Sequence, residues 1–125
     1  MNRSFVALGS FLAMIAVALG AFGTHSLRPR LTERSLEIWQ TGVQYHLIHA
    51  VALVLVGLIA GQSISRFVKL SGWLFCAGIL IFGGTLYALV LTGISWLGAV
   101  TPLGGLALIL GWLSLMVGVL KNEQQ

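Results

Sequence analysis

The side chains best suited to chemistry stand close together at Tyr45-His46-Leu47-Ile48-His49, where the chain passes from a polar to an apolar stretch. His46 and His49 are three residues apart, so on a helix they share one face, about 4.5 Å apart along the axis. Trp39, Gly42 and Leu53 extend that face, while Gln44 and Tyr45 point toward a different neighbour. Imidazoles exchange protons near neutral pH and ligate metals. Polar aromatic groups at the mouth of a membrane span are costly to keep without partners, so a site is expected here.

Three uses compete for the candidate set His25, Tyr45, His46, His49, Tyr87 and Thr101. The first is structural: these groups hydrogen-bond across helices and fix the register of a bundle. The second is a binding or transport site in which the histidines take up protons or line a route. In the third, His25, His46 and His49 hold a metal or a haem. Three histidines alone assign neither, so no cofactor is expected. Enzymatic chemistry has no support. No nucleophile stands beside a visible base, and HExxH, P-loop and GxGxxG patterns are missing. Gly104-Gly105 after Thr101-Pro102 reads as a proline in the first turn of a helix followed by glycines for close approach, not as a phosphate cradle.

The elements that position these groups follow from composition. Of 125 residues, 58% are hydrophobic and 8% charged, which a small water-soluble domain could not accommodate; the surrounding solvent is lipid. The net charge of +4 comes from seven Lys/Arg and three Glu outside the apolar runs. It reads as flanking topology signals, with no nucleic-acid partner. Cys76 lies in an apolar run and reads as a small buried hydrophobe.

Taken in order, Phe5 to Gly23 matches the roughly 20 residues needed to cross a bilayer core. Arg3 and the small residues near Gly20 also resemble a signal peptide. Retention is the preferred reading, because Gly9, Ala13, Ala16, Gly20 and Gly23 form a close-packing stripe of small residues. Thr24 to Arg30 reads as a loop, and Thr32 as the cap of a helix starting near Glu33. Leu31 to Trp39 predicts a short interfacial helix that keeps Trp39 at headgroup level and leads into a second span at 42–61. That span carries Gly57 and Gly61 in a GxxxG pattern.

Gln62 to Lys69 reads as a polar connection. Leu70 to Leu120 then contains no charged side chain, roughly 76 Å of helix, so it must fold back once. Thr92-Gly93-Ile94-Ser95-Trp96 supplies the break, giving spans 70–92 and 97–120. Gly104, Gly111 and Gly118, with Ala107 and Ser114 between them, form a second small-residue stripe that could meet the first. Lys121 to Gln125 reads as a tail. The expected fold is an all-α membrane protein: one domain, residues 1–125, forming a four-transmembrane-helix up-and-down bundle. Alternating spans bring His25, His46, His49, Tyr87 and Thr101 into the same half of the membrane. Arg3, Arg66, Lys69 and Lys121 outnumber Arg28, Arg30 and Arg34 on the other side, which predicts cytoplasmic termini.

The blocks Gly20-Ala-Phe-Gly-Thr-His25, Trp39 with Tyr45-His46 and His49-Ala50, Phe82-Gly-Gly-Thr-Leu-Tyr87, and Thr101-Pro-Leu-Gly-Gly105 with Gly111-Trp112 cover most of the chain. Together they resemble the YgdD-like family of small bacterial inner-membrane proteins of unknown function, which has relatives among small eukaryotic transmembrane proteins. Many of these relatives have Phe-Ser-Gly-Ser-Leu-Tyr in the third block, so Gly83 here removes one hydroxyl and Thr85 keeps another. The resemblance implies a four-span plasma-membrane protein and supplies no substrate. A structural or accessory membrane component, with a membrane-protein partner or a second copy, is the first expectation. A small transporter or ligand-binding protein using His25, His46 and His49 is the alternative.

Overall fold

The computed structural model describes residues 1–61 and 65–123, for 122 and 123 the backbone alone. Asn2 opens the first helix by accepting the Phe5 N–H at 3.1 Å, and α1 runs Arg3–Phe22. A π-helical turn, Gly23–Leu27, carries it further. Thr32 caps α2, Glu33–Ala60, by accepting the Ser35 N–H at 3.1 Å, with Glu33 in the first turn as expected. Next come α3, Arg66–Gly78, a second π-helical turn, Ile79–Gly83, and α4, Gly84–Thr92. Gly93, with φ of 72°, ends α4 in the left-handed conformation that favours glycine. The chain then folds back into α5, Leu97–Glu123.

Four apolar stretches, Arg3–Leu27, Glu33–Ala60, Arg66–Thr92 and Leu97–Lys121, are long and apolar enough to cross a membrane. The described residues contain no strand. α1 packs along α2, and α3 with its π-turn packs along α5; α2 joins the two pairs through α3, the second π-turn and α4. Phe5, Leu53, Val56, Val68, Phe75 and Leu108 lie in the core where the pairs meet.

Small residues set these approaches, because lipid gives apolar helices no hydrophobic reason to associate and close contact must supply the attraction. A Cβ on Gly9 would lie 2.8 Å from the Ala50 carbonyl oxygen and 2.9 Å from the Val54 nitrogen. Ala16 is fully buried in the same stripe, Ala13 is half-buried, and Gly20 faces Val43. Gly57 receives the backbone of Val6, and Gly61 lies against Met1. On α5, Gly104 lies against the Phe82 backbone, Gly111 against the Phe75 ring and Gly118 against the Val68 nitrogen.

Several expectations are corrected. The two stripes do not meet: that of α1 is taken by α2, and that of α5 by α3 and its π-turn. The short helix expected before the second span is, from Glu33 onward, the first part of one continuous helix with that span, Glu33–Ala60. Trp39 is not held at the surface; it is 1% exposed. Thr24 to Leu27 is a π-helical turn in place of a loop. Arg66 and Lys69 belong to α3, while the rest of the expected connection at 62–64 lies outside the described residues. Lys121 to Glu123 continue α5, and tail residues 124–125 lie outside the described residues. Pro102 stands in the second turn of α5, one turn deeper than expected.

Candidate functional site

Helix α2 presents the histidines, and each ring finds a different neighbour. His46, 4% exposed, places Nδ1 2.9 Å from the Tyr87 hydroxyl on α4. Gly42, one turn before it, leaves the space for Tyr87: a Cβ there would lie 2.9 Å from Cε1 of that ring. Trp39, one further turn back, closes on the same tyrosine with ring centroids 4.8 Å apart. Its indole N–H donates to the Leu19 carbonyl across the α1–α2 interface at 2.9 Å. Gly23, in the first π-turn, makes room for that indole, since a Cβ would stand 2.6 Å from Cδ1. Trp39, Gly42 and His46 thus grip Tyr87 along three successive turns.

His49, 5% exposed, turns to α5. The Trp112 indole N–H donates to its Nε2 at 2.9 Å, which requires that nitrogen to be an acceptor. The proton is then on Nδ1, which donates to the Tyr45 carbonyl at 2.7 Å. Both nitrogens are used. The Phe75 ring covers one side at 5.5 Å, and the Tyr45 ring lies nearly parallel to the imidazole at 6.2 Å. Tyr45 is 43% exposed and its ring also meets Phe82 at 5.0 Å, so it borders the His49 group.

Thr101 joins a third contact. Its hydroxyl oxygen lies 2.7 Å from that of Thr85, and the Thr85 hydroxyl also reaches the Ile81 carbonyl in the second π-turn at 2.6 Å. The hydroxyl that the third block retains therefore links α4 to α5. At Gly83 a Cβ would meet Tyr87 at 3.6 Å and His46 at 3.8 Å, so a serine would fit.

His25 does not join these groups. It is exposed in the first π-turn, apart from both α2 histidines and their hydrogen bonds. The proposed set His25, His46 and His49 therefore does not assemble. Among the described residues no three His, Cys, Asp or Glu side chains gather as a metal site needs. Also among the described residues, the one buried side-chain nitrogen or oxygen without a hydrogen bond is His46 Nε2. The His46 ring faces the Leu12 backbone on α1, beside a lipid-facing apolar groove lined by Leu12, Ile15, Ile79 and Tyr87.

The sequence-based set omitted Trp39, Thr85 and Trp112. Trp112 carried a usable signal: an indole N–H deep inside an apolar span, far from either interface, must find an acceptor. Nothing local marks the π-turns, which place Phe82 and Thr85.

The sequence matches the family model described as a protein of unknown function, DUF423, over residues 19–105. The chain belongs to this family. It is 47% identical over 120 residues to the UPF0382 membrane protein YwdK of Bacillus subtilis, covering 95% of this chain and 98% of that one. UPF0382 membrane proteins of Staphylococcus aureus and Staphylococcus epidermidis are 43% and 44% identical over 119 residues, covering 95% of this chain and 97% of each relative. No solved structure matches. These relatives are named membrane proteins, and with its four membrane-length apolar helices this chain is a multi-pass membrane protein.

Proposed function

We propose that this protein is a structural or accessory component of the membrane whose polar aromatic groups lock four helices in register. The observation that carries the proposal is His49: both nitrogens are consumed inside the bundle, one by Trp112 and one by the Tyr45 carbonyl. An imidazole so occupied is a tie between α2 and α5 and has no nitrogen left for a ligand. On this reading the protein catalyses no reaction and holds no resident cofactor. The apolar outer faces of the bundle meet lipid, a membrane-protein partner or a second copy. The YgdD-like resemblance and the DUF423 match describe one family on this reading, with the eukaryotic relatives included. The reading also places the protein in the bacterial plasma membrane, with both termini in the cytoplasm. The support is four basic residues, Arg3, Arg66, Lys69 and Lys121, against three at the other end.

The test is metal analysis and absorption spectroscopy on protein purified in mild detergent, with thermal unfolding of His46→Ala, His49→Ala and the pair His49→Leu/Trp112→Phe. The expected result is no stoichiometric metal or haem band, lower melting temperatures for the alanine variants, and near-recovery in the apolar pair. A metal or haem lost on changing His46 or His49 overturns the proposal.

One observation favours the second reading, a ligand-binding or transport role. His46 Nε2 is buried without a hydrogen bond beside an apolar groove. That reading predicts variants of His46 that keep their fold and melting temperature while losing binding or uptake.

A further inference from the structure

A second groove lies between α3 and α5, away from the histidines. It has a volume of about 350 Å³ and is lined by Phe67, Leu70 and Leu74 on α3 and by Leu110, Leu113 and Val117 on α5. Its depth follows from the packing beside it. Gly118 lets the two helices approach to backbone contact at Val68, and the Ser114 hydroxyl donates to the Phe67 carbonyl at 2.7 Å, which ties the α3 backbone to α5 at one end. On α5 the spacing 110, 113, 117, 121 continues the groove-facing stripe to Lys121. Lys121 Nζ stands 4.6 Å from the centre of the Phe67 ring, and the guanidinium carbon of Arg66 stands 5.6 Å from the same centre.

An apolar channel open to lipid therefore ends beneath two converging cations. Among the residues whose side chains are described, neither has a carboxylate partner, and the one ion pair is Arg34–Glu37 at the other end of the bundle. The chain has three carboxylates, and two of them, Glu33 and Glu37, lie at that other end. The third, Glu123, stands just beyond Lys121, so this end carries Arg3, Arg66, Lys69 and Lys121 against one carboxylate and keeps a net positive charge at the level where a span leaves the hydrocarbon; basic pockets between transmembrane helices bind anionic headgroups.

We propose that this groove binds one anionic phospholipid, an acyl chain lying along Leu70, Leu74, Leu110, Leu113 and Val117 and its phosphate held by Lys121 and Arg66. Both halves are needed. The apolar wall alone would take any lipid tail, and the cations alone would take any soluble phosphate. The site is separate from the histidine ties and does not depend on their role.

The experiment is native mass spectrometry of the full chain in mild detergent, titrated with phosphatidylglycerol or phosphatidylcholine. Wild-type protein is expected to bind phosphatidylglycerol at least tenfold more tightly. Each cation near the membrane surface strengthens anionic-lipid binding about fivefold, so Arg66→Gln/Lys121→Gln should weaken phosphatidylglycerol binding roughly twenty-five-fold and leave phosphatidylcholine unchanged. Lys69→Gln removes the same charge as Lys121→Gln from outside the groove and should have little effect. Leu113→Trp, which fills the groove with the charges intact, should lower phosphatidylglycerol binding. Glycerol phosphate should not displace the lipid. Equal binding of the two lipids by wild type overturns the proposal, as does a preference that survives the double change. It is equally overturned if Lys69→Gln costs as much as Lys121→Gln, or if glycerol phosphate competes. The substituted side chains are exposed or border lipid, and unchanged melting temperatures verify that the variants are folded.

Discussion

The Tyr87 hydroxyl lies 2.9 Å from Nδ1 of His46, joining residues 41 positions apart on α4 and α2. Interhelical hydrogen bonds of this kind contribute about 0.6 kcal/mol in membrane proteins and rarely more than about 1.7. Tyr87→Phe should cost more than the bond itself, about 1–3 kcal/mol, because it leaves the buried imidazole without a partner. A double-mutant cycle with His46→Phe, read out by unfolding in detergent, should return a coupling of about 0.6–1.7 kcal/mol. A coupling of zero would remove this pair from the set of ties.

Trp39 is the largest fully buried side chain of the bundle. Truncation to alanine should destabilise by about 3–5 kcal/mol, the range for deleting a buried aromatic. Trp39→Phe, which keeps most of the ring and loses the bond to the Leu19 carbonyl, should cost clearly less. Gly23→Ala, whose new methyl would press on the indole, should also lower the melting temperature. If alanine at position 23 is neutral, the indole is not held as described.

The glycines of the third span and its neighbour separate by surroundings. Gly104→Ala should cost about 1–3 kcal/mol because its methyl would meet the Phe82 backbone, which cannot step aside. Gly84 has no neighbouring atom within 4 Å of the new methyl, so Gly84→Ala should be neutral or stabilise by up to about 1 kcal/mol through helix propensity. Gly83→Ser should be tolerated, since its Cβ would make ordinary contacts with Tyr87 and His46. Melting temperatures of the three single variants check the order.

The three histidines should not behave alike. His49→Ala strands the Trp112 indole N–H and opens a space beside Phe75, a change expected to cost about 2–3 kcal/mol. His25→Ala touches an exposed side chain and should stay within about 0.5 kcal/mol of wild type. Equal effects at the two positions would contradict the separation of His25 from the bundle interior.

The sequence by itself determined the number of spans. An uncharged run longer than two bilayer cores must fold back, and Thr92-Gly93 supplied the one place where it could. It also determined the Thr32 cap and the two stripes of small residues. Tertiary structure alone decided who packs against whom. In lipid nearly every face of every helix is apolar, so the pattern that marks the buried face of a soluble helix is too weak to choose a neighbour. The stripes of α1 and α5 could therefore be read without their partners, α2 and α3. Trp39 looked like an interfacial anchor because its burial depends on the gap at Gly23 on another helix. The π-turn at Ile79–Gly83 inserts an extra residue and rotates α4 by about 100° relative to an uninterrupted helix, a shift that changes which side chains face α2. That shift, and the different partners it helps give His46 and His49, exists only once the helices are packed.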